Sequence, residues 1–199
     1  MSLPPENSSS ASSVSCVPGA HEEFTAEERA ILLKLAHEAI ESAIENREIS
    51  FDPPSAHLSE PRGAFTTIYL AGQLRGCVGY VFPVASVYRT VAETARAAAF
   101  DDTRFFPVTR EEAPQLEISL SILSPLQPIK ADDVEVGKHG LLISQHGHRG
   151  LLLPQVPTEH GWDRETFLDQ TCHKAGLPED AWKKGATIEA FTAEVFGER

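Results

Sequence analysis

Apolar residues recur along this chain with two different periods, and the switches between them mark out its elements. After Thr25, the apolar positions Ile31, Leu32, Leu35, Ala36, Ala39, Ile40, Ala43 and Ile44 follow the helical repeat. Glu28 stands three residues after Thr25, the spacing of a capping box, so the pattern predicts an amphipathic helix from Thr25 to about Asn46. The prolines of FDPPSAHLSEPRG then enforce an irregular connection. Two β-prone runs follow, AFTTIYL and LRGCVGYV, separated by Ala71, Gly72 and Gln73, a spacing that suits a hairpin.

Ser86 is placed to cap a second helix through SVYRTVAETARAAAF, whose stripe of Val87, Val91, Ala95 and Ala98 is narrow enough to lie close on a sheet. In LEISLSIL the alternation is strict. Leu116, Ile118, Leu120 and Ile122 face one way and Glu117, Ser119 and Ser121 the other, as in a half-buried strand. GLLISQHGHRGLLLPQV reads as another hairpin with its turn at Gln145 to His148. Asp163 caps a predicted helix that buries Phe167, Leu168 and Cys172 and stops at Gly176-Leu177-Pro178, and TIEAFTAEVF reads as one last strand. Helices and antiparallel strands are interspersed without a βαβ rhythm, so the predicted class is α+β, one domain over residues 23–197. Residues 1–22 are Ser- and Pro-rich with few apolar side chains and are predicted to be a disordered tail, of which Met1 to Ala20 can be removed without loss of stability.

Charge narrows the list of partners. The 199 residues hold 17 Lys and Arg against 29 Asp and Glu, a net charge of −12, with no basic stripe, which argues against nucleic acid or an anionic membrane as partner. The start MSLPPEN has neither a basic n-region nor an apolar h-region, no run is long enough to span a bilayer, and the expected location is cytoplasmic. The three cysteines, Cys16, Cys77 and Cys172, are far apart and form no CxxC pair, which fits free thiols better than disulfides or a zinc ribbon. No dinucleotide or P-loop motif is present, so no cofactor is expected.

The segment QLRGCVGY is the richest in candidate chemistry. On a regular strand Arg75 and Cys77 share one face, while Leu74, Val78 and Tyr80 line the other and should meet the core. A guanidinium beside a thiol favours thiolate, and Gly76 and Gly79 clear space for a ligand or a neighbouring backbone. Two readings stand side by side: a nucleophile or anion-binding spot, and a tightly packed strand in which Cys77 is a small buried hydrophobe and the glycines accommodate a bulge or a helix. Asp102 and Arg104 belong to a loop expected at a sheet end, where ligand-binding groups gather, or where a local ion pair simply ends a helix. Arg149 opens another Arg-Gly pair beside His146 and His148; an HxH pair offers two metal ligands, but no third has compatible spacing, so no metal is expected. Cys172 and His173 are helix neighbours pointing about 100° apart and cannot act as nucleophile and base.

Together LRGCVGY, DTRFFPV, LSPLQPI, VGKHGLLI, RGLLLPQV, the Trp162-Asp163 and Phe167-Leu168 spacing and CHKAGLP resemble the AMMECR domain family, also called AmmeMemoRadiSam system protein A. The resemblance runs from about Phe24 to Phe196 and departs from the usual pattern at Tyr80 and Thr103. It implies a compact α+β domain of two unequal lobes, mainly antiparallel sheets flanked by helices, with a cleft that includes the LRGC segment. It names no reaction, and its genetic neighbours make Memo-type and radical-SAM proteins the expected partners, alongside an unidentified small molecule.

Two functions follow as expectations. In the first, Cys77 is a nucleophile acting on a small anionic substrate, Arg75 tunes it and clamps the anion, His139 or His160 is the base, and Gly76, Gly79, Asp102, Arg104 and Arg149 bind ligand. In the second, the domain is a non-catalytic adaptor whose cleft docks a partner protein.

Overall fold

The computed structural model describes residues 23–198; the tail assigned to residues 1–22, with Cys16, lies outside the described residues. Helix α1 (Ala26–Glu45) begins at the predicted capping box, with the Thr25 side chain accepting from the Glu28 amide and the Glu28 carboxylate accepting from the Thr25 amide. It ends at Asn46, whose φ of 52° is left-handed. Strands β1 (Ala64–Leu70) and β2 (Gln73–Tyr80) form the first hairpin around Ala71 and Gly72 alone, both at positive φ (49° and 76°), the two-residue turn whose twist matches paired strands. Helix α2 (Val87–Phe100) is capped by Ser86, and β3 (Leu116–Leu123) alternates as its sequence predicts.

The second half contains β4 (Gln127–Pro128), β5 (Gly140–Gln145), β6 (His148–Leu152), α3 (Gln155–His160), α4 (Arg164–Lys174), β7 (Thr187–Phe191) and β8 (Ala193–Gly197). The β5–β6 hairpin repeats the first turn, with His146 and Gly147 at φ 51° and 84°. Two expectations are corrected here. LLLPQV is not all strand: β6 stops at Leu152, and Pro154, which lacks an amide proton for a ladder, starts the short helix α3. TIEAFTAEVF is two strands in two sheets. The break is at Thr192, which exchanges hydrogen bonds with Ser124: its amide donates to the Ser124 hydroxyl, and its carbonyl accepts from the Ser124 amide, each at 2.9 Å.

These two crossing points divide the domain into its lobes. The first sheet has the order β2-β1-β3-β8 and the second β4-β7-β5-β6, all antiparallel. Helices α1 and α2 cover one face of the first sheet around a core that includes Leu32, Ile40, Ile68, Val91, Ile118 and Leu120. Helix α4 covers the second around Leu141, Ile143, Phe167, Leu168 and Cys172. The larger lobe therefore packs one sheet face against helices, while residues such as Thr67, Ser119 and Ser121 on the other are half-buried, and β2 lies at its edge. Among the described residues, no helix is long and apolar enough to cross a membrane.

Candidate functional site

The ladder between β1 and β2 contains an irregularity that decides the geometry of the LRGC segment. Ile68 pairs with Gly76 but the next residue, Tyr69, pairs with Leu74, so Arg75 is an extra residue in a bulge. One inserted residue inverts the alternation that precedes it. Leu74 thereby joins the face of Tyr69 and Thr67, away from the helices, and is 42% exposed rather than buried as expected. Tyr80, at the strand's end, is 39% exposed. Val78 does pack against the core, opposite Thr66.

Gly76 faces α2. A Cβ there would lie 2.1 Å from the Ala98 carbonyl oxygen, so the last turn of α2 comes to rest directly on the strand backbone. A Cβ at Gly79 would lie 2.1 Å from the Phe65 ring, which covers that residue from the opposing strand. Both glycines are thus filled by the protein itself.

Arg75 is held by residues 106–112. Its Nε and Nη2 donate to the two oxygens of Glu112 at 3.2 and 3.0 Å, and Nη1 donates to the Phe106 carbonyl at 2.7 Å. Nη2 also reaches the Pro107 carbonyl at 3.3 Å. Bidentate geometry of this kind is the strong form of an arginine–carboxylate contact, and it latches β2 to residues 106–112. The bond with Arg75, helped by the Thr109 amide, holds the Glu112 carboxyl below the usual carboxylate range. At the bulge the guanidinium turns toward that loop.

The cation that does lie beside the LRGC backbone is Arg104. The Cys77 amide donates to Asp102 Oδ2 at 2.9 Å, and Arg104 binds both Asp102 oxygens at 2.9 and 2.7 Å while its Nη2 touches the Cys77 carbonyl at 3.4 Å. Held first by Arg104 and then by the Cys77 and Arg104 amides, the Asp102 carboxyl lies far below its ordinary range. Asp102 and Arg104 together occupy the outward-facing amide and carbonyl of Cys77, as a neighbouring strand would. The Cys77 thiol accepts from the Thr67 hydroxyl at 3.2 Å across the hairpin.

The remaining candidates are dispersed. The Nδ1 of His139 accepts from the Glu135 amide at 3.0 Å, and burial lowers its pKa, in a loop of the smaller lobe beside a cavity of about 180 Å³. His160 ends α3 and stacks on Trp162 with ring centroids 4.7 Å apart. Among the described residues, neither makes a hydrogen bond or ring contact with Cys77. Arg149 stacks over Phe82, its guanidinium 4.9 Å from the ring centroid, and so joins the smaller lobe to the segment that follows β2. His146 is a turn residue and His148 pairs with Gln145.

Sequence reasoning missed a polar cluster whose members are scattered along the chain. Glu23, His57 and Glu60 bring potential ligand atoms within 4.8 Å of one another. Arg62, only 5% exposed, donates through Nη2 to both Glu23 and Glu60, so a guanidinium already neutralises the carboxylates a metal would need. The conspicuous cue was Arg62 itself, beside a glycine on the approach to a core strand.

The sequence profile described as AMMECR1 matches residues 33–196. This chain belongs to the AMMECR1 family. Protein MK0488 of Methanopyrus kandleri is 38% identical over 189 residues, covering 89% of this chain and 91% of its own length. A protein of Thermococcus gammatolerans is 41% identical over 182 residues, covering 84% and 88%. Among solved structures, the uncharacterized protein PH0010 from Pyrococcus horikoshii is 37% identical with a TM-score of 0.67, covering 84% of this chain and 90% of that one. In the structure, the LRGC, DTRFFPV and RGLL segments fasten sheet edges to helices and loops.

Proposed function

We propose that this AMMECR1 domain is a non-catalytic protein-binding module that docks its partner along the β2 edge. One observation carries this reading. Of the seven large apolar side chains exposed among the described residues, five lie in or beside β2: Leu74, Tyr80, Phe82, Val84 and Phe106, with Val84 82% and Phe106 88% exposed. Only Val136 and Val195 lie elsewhere. Clustered apolar exposure at one sheet edge is what a binding surface requires and what an isolated domain avoids. The adaptor reading also accounts for the chemistry of LRGC. Arg75 is fully engaged by Glu112 and two carbonyls, and the contact partner of the thiol is a threonine hydroxyl rather than a base.

Site-specific photo-crosslinking tests the proposal. A benzophenone side chain in place of Phe106 or Val84 should yield a discrete protein adduct in cells of the native host, whereas one in place of Val195, on the opposite sheet edge, should not. Equal labelling at all three positions, or none at the β2 positions, would refute the docking surface.

A further inference from the structure

The docking reading can be carried to the chemistry of the partner, and the inference here rests on it. In an antiparallel ladder, outward-pointing residues alternate. The Cys77 amide and carbonyl point away from β1, toward Asp102 and Arg104, so the amide and carbonyl of Gly79 point the same way. Among the described residues those Gly79 groups meet no partner. Among the described residues the Cys77 carbonyl is held only by Arg104 Nη2 at 3.4 Å, the longest hydrogen bond that arginine makes. The open edge at Gly79 is then flanked by Tyr80 and Phe82.

At the end of this edge lies a positive corner on an otherwise acidic protein. The exposed Arg149 stacks over Phe82 and has no carboxylate partner among the described residues, and the backbone of the exposed Lys174 abuts Gly150 next to it. A net charge of −12 makes such a corner a local discriminator rather than part of a general basic field.

We infer that the β2 edge binds an extended, acidic segment of a partner protein by strand addition. The segment pairs with the Gly79 amide and carbonyl, takes the Cys77 carbonyl from Arg104, lays apolar side chains against Tyr80 and Phe82, and points a carboxylate at Arg149. Main-chain pairing supplies affinity in this mode, and alternate side chains supply selectivity. The Asp102–Arg104 clip closes the edge on the other side of Gly79 and prevents copies of the chain from pairing along all of β2.

The test uses the full chain and a phage-displayed library of random dodecapeptides. Selection should enrich peptides that alternate apolar and acidic residues. For a synthetic copy of one, methylating the backbone nitrogens on one side of the strand should weaken binding by about tenfold or more, and methylating the alternate set should not. Arg149→Glu should weaken it to a similar degree, while lowering the thermal unfolding midpoint of the protein by no more than about 4 °C. Peptides that lose affinity on Phe82→Ala yet tolerate every methylation would overturn strand addition and leave the docking surface standing. Selected peptides indifferent to Phe82→Ala, Leu74→Ser and Arg149→Glu would overturn both. Enrichment of basic or helix-forming peptides at the β2 edge would overturn the acidic, extended occupant.

Discussion

Two of the three Arg-Gly pairs of this domain, Arg75-Gly76 and Arg149-Gly150, are built alike and used differently. Gly76 on β2 and Gly150 on β6 each lie on the edge strand of a sheet, and each lets the end of a helix touch strand backbone. A Cβ would stand 2.1 Å from the Ala98 carbonyl oxygen in the first case and 2.2 Å from the Ala175 nitrogen in the second. The arginines diverge. Arg75 is 15% exposed and turns back to its own lobe, held by a carboxylate and two carbonyls, whereas Arg149 reaches across to Phe82 of the other lobe. One arginine is therefore structural mortar, and the other remains available to a partner.

The largest effect should come from the glycines. Gly76→Ala and Gly150→Ala each put a Cβ into backbone that cannot move aside as a side chain could, so each should destabilise by about 3 kcal/mol in urea unfolding. A loss confined to one of them would break the parallel. Next should come the arginines. Removing Arg75 leaves Glu112 without its main partner, so Arg75→Ala should cost about 1–3 kcal/mol, with Glu112→Gln adding little to it. Arg149→Ala forfeits an exposed cation–π contact and should cost about 0.5–1 kcal/mol.

Acid should act through the larger lobe. The Glu112 and Asp102 pKa values are depressed in the folded state, by Arg75 and Arg104 respectively, so their contribution is present above the ordinary carboxylate range near pH 4 and lost as pH falls through the folded values. Stability measured from pH 5 downward should therefore fall less steeply in Asp102→Asn and Glu112→Gln than in the native chain, and Arg149→Ala should leave that limb unchanged. The smallest effect belongs to Leu74→Ala. At 42% exposure it should cost under about 1 kcal/mol, against the 2–4 expected of a buried leucine.

Leu74 also marks where sequence reading stops. Periodicity and capping chemistry act over a few residues, and they located α1, α2, α4, β3 and both hairpins with their caps. The glycines of LRGCVGY allow a bulge, but its position at Arg75 leaves no such trace, because one inserted residue changes the face of its neighbours without changing composition or period. The break at Thr192 is equally silent: both halves of TIEAFTAEVF are β-prone, and their separation depends on Ser124, 68 residues away. The site was half legible for the same reason. Asp102 and Arg104 are recognisable as a loop pair, but their bonds to the Cys77 backbone span 25 and 27 residues, and only the fold shows that Arg104, not Arg75, is the cation beside it.

The account rests on the β2 edge acting through its surface and not through its thiol, and one binding comparison addresses this directly. With the partner captured by the Phe106 crosslink, affinity should be unchanged within about twofold in Cys77→Ser and fall by at least about tenfold in the double variant Leu74→Ser with Phe82→Ala. Loss of binding in Cys77→Ser with full affinity in the double variant would contradict the account and return the thiol to the centre of the function.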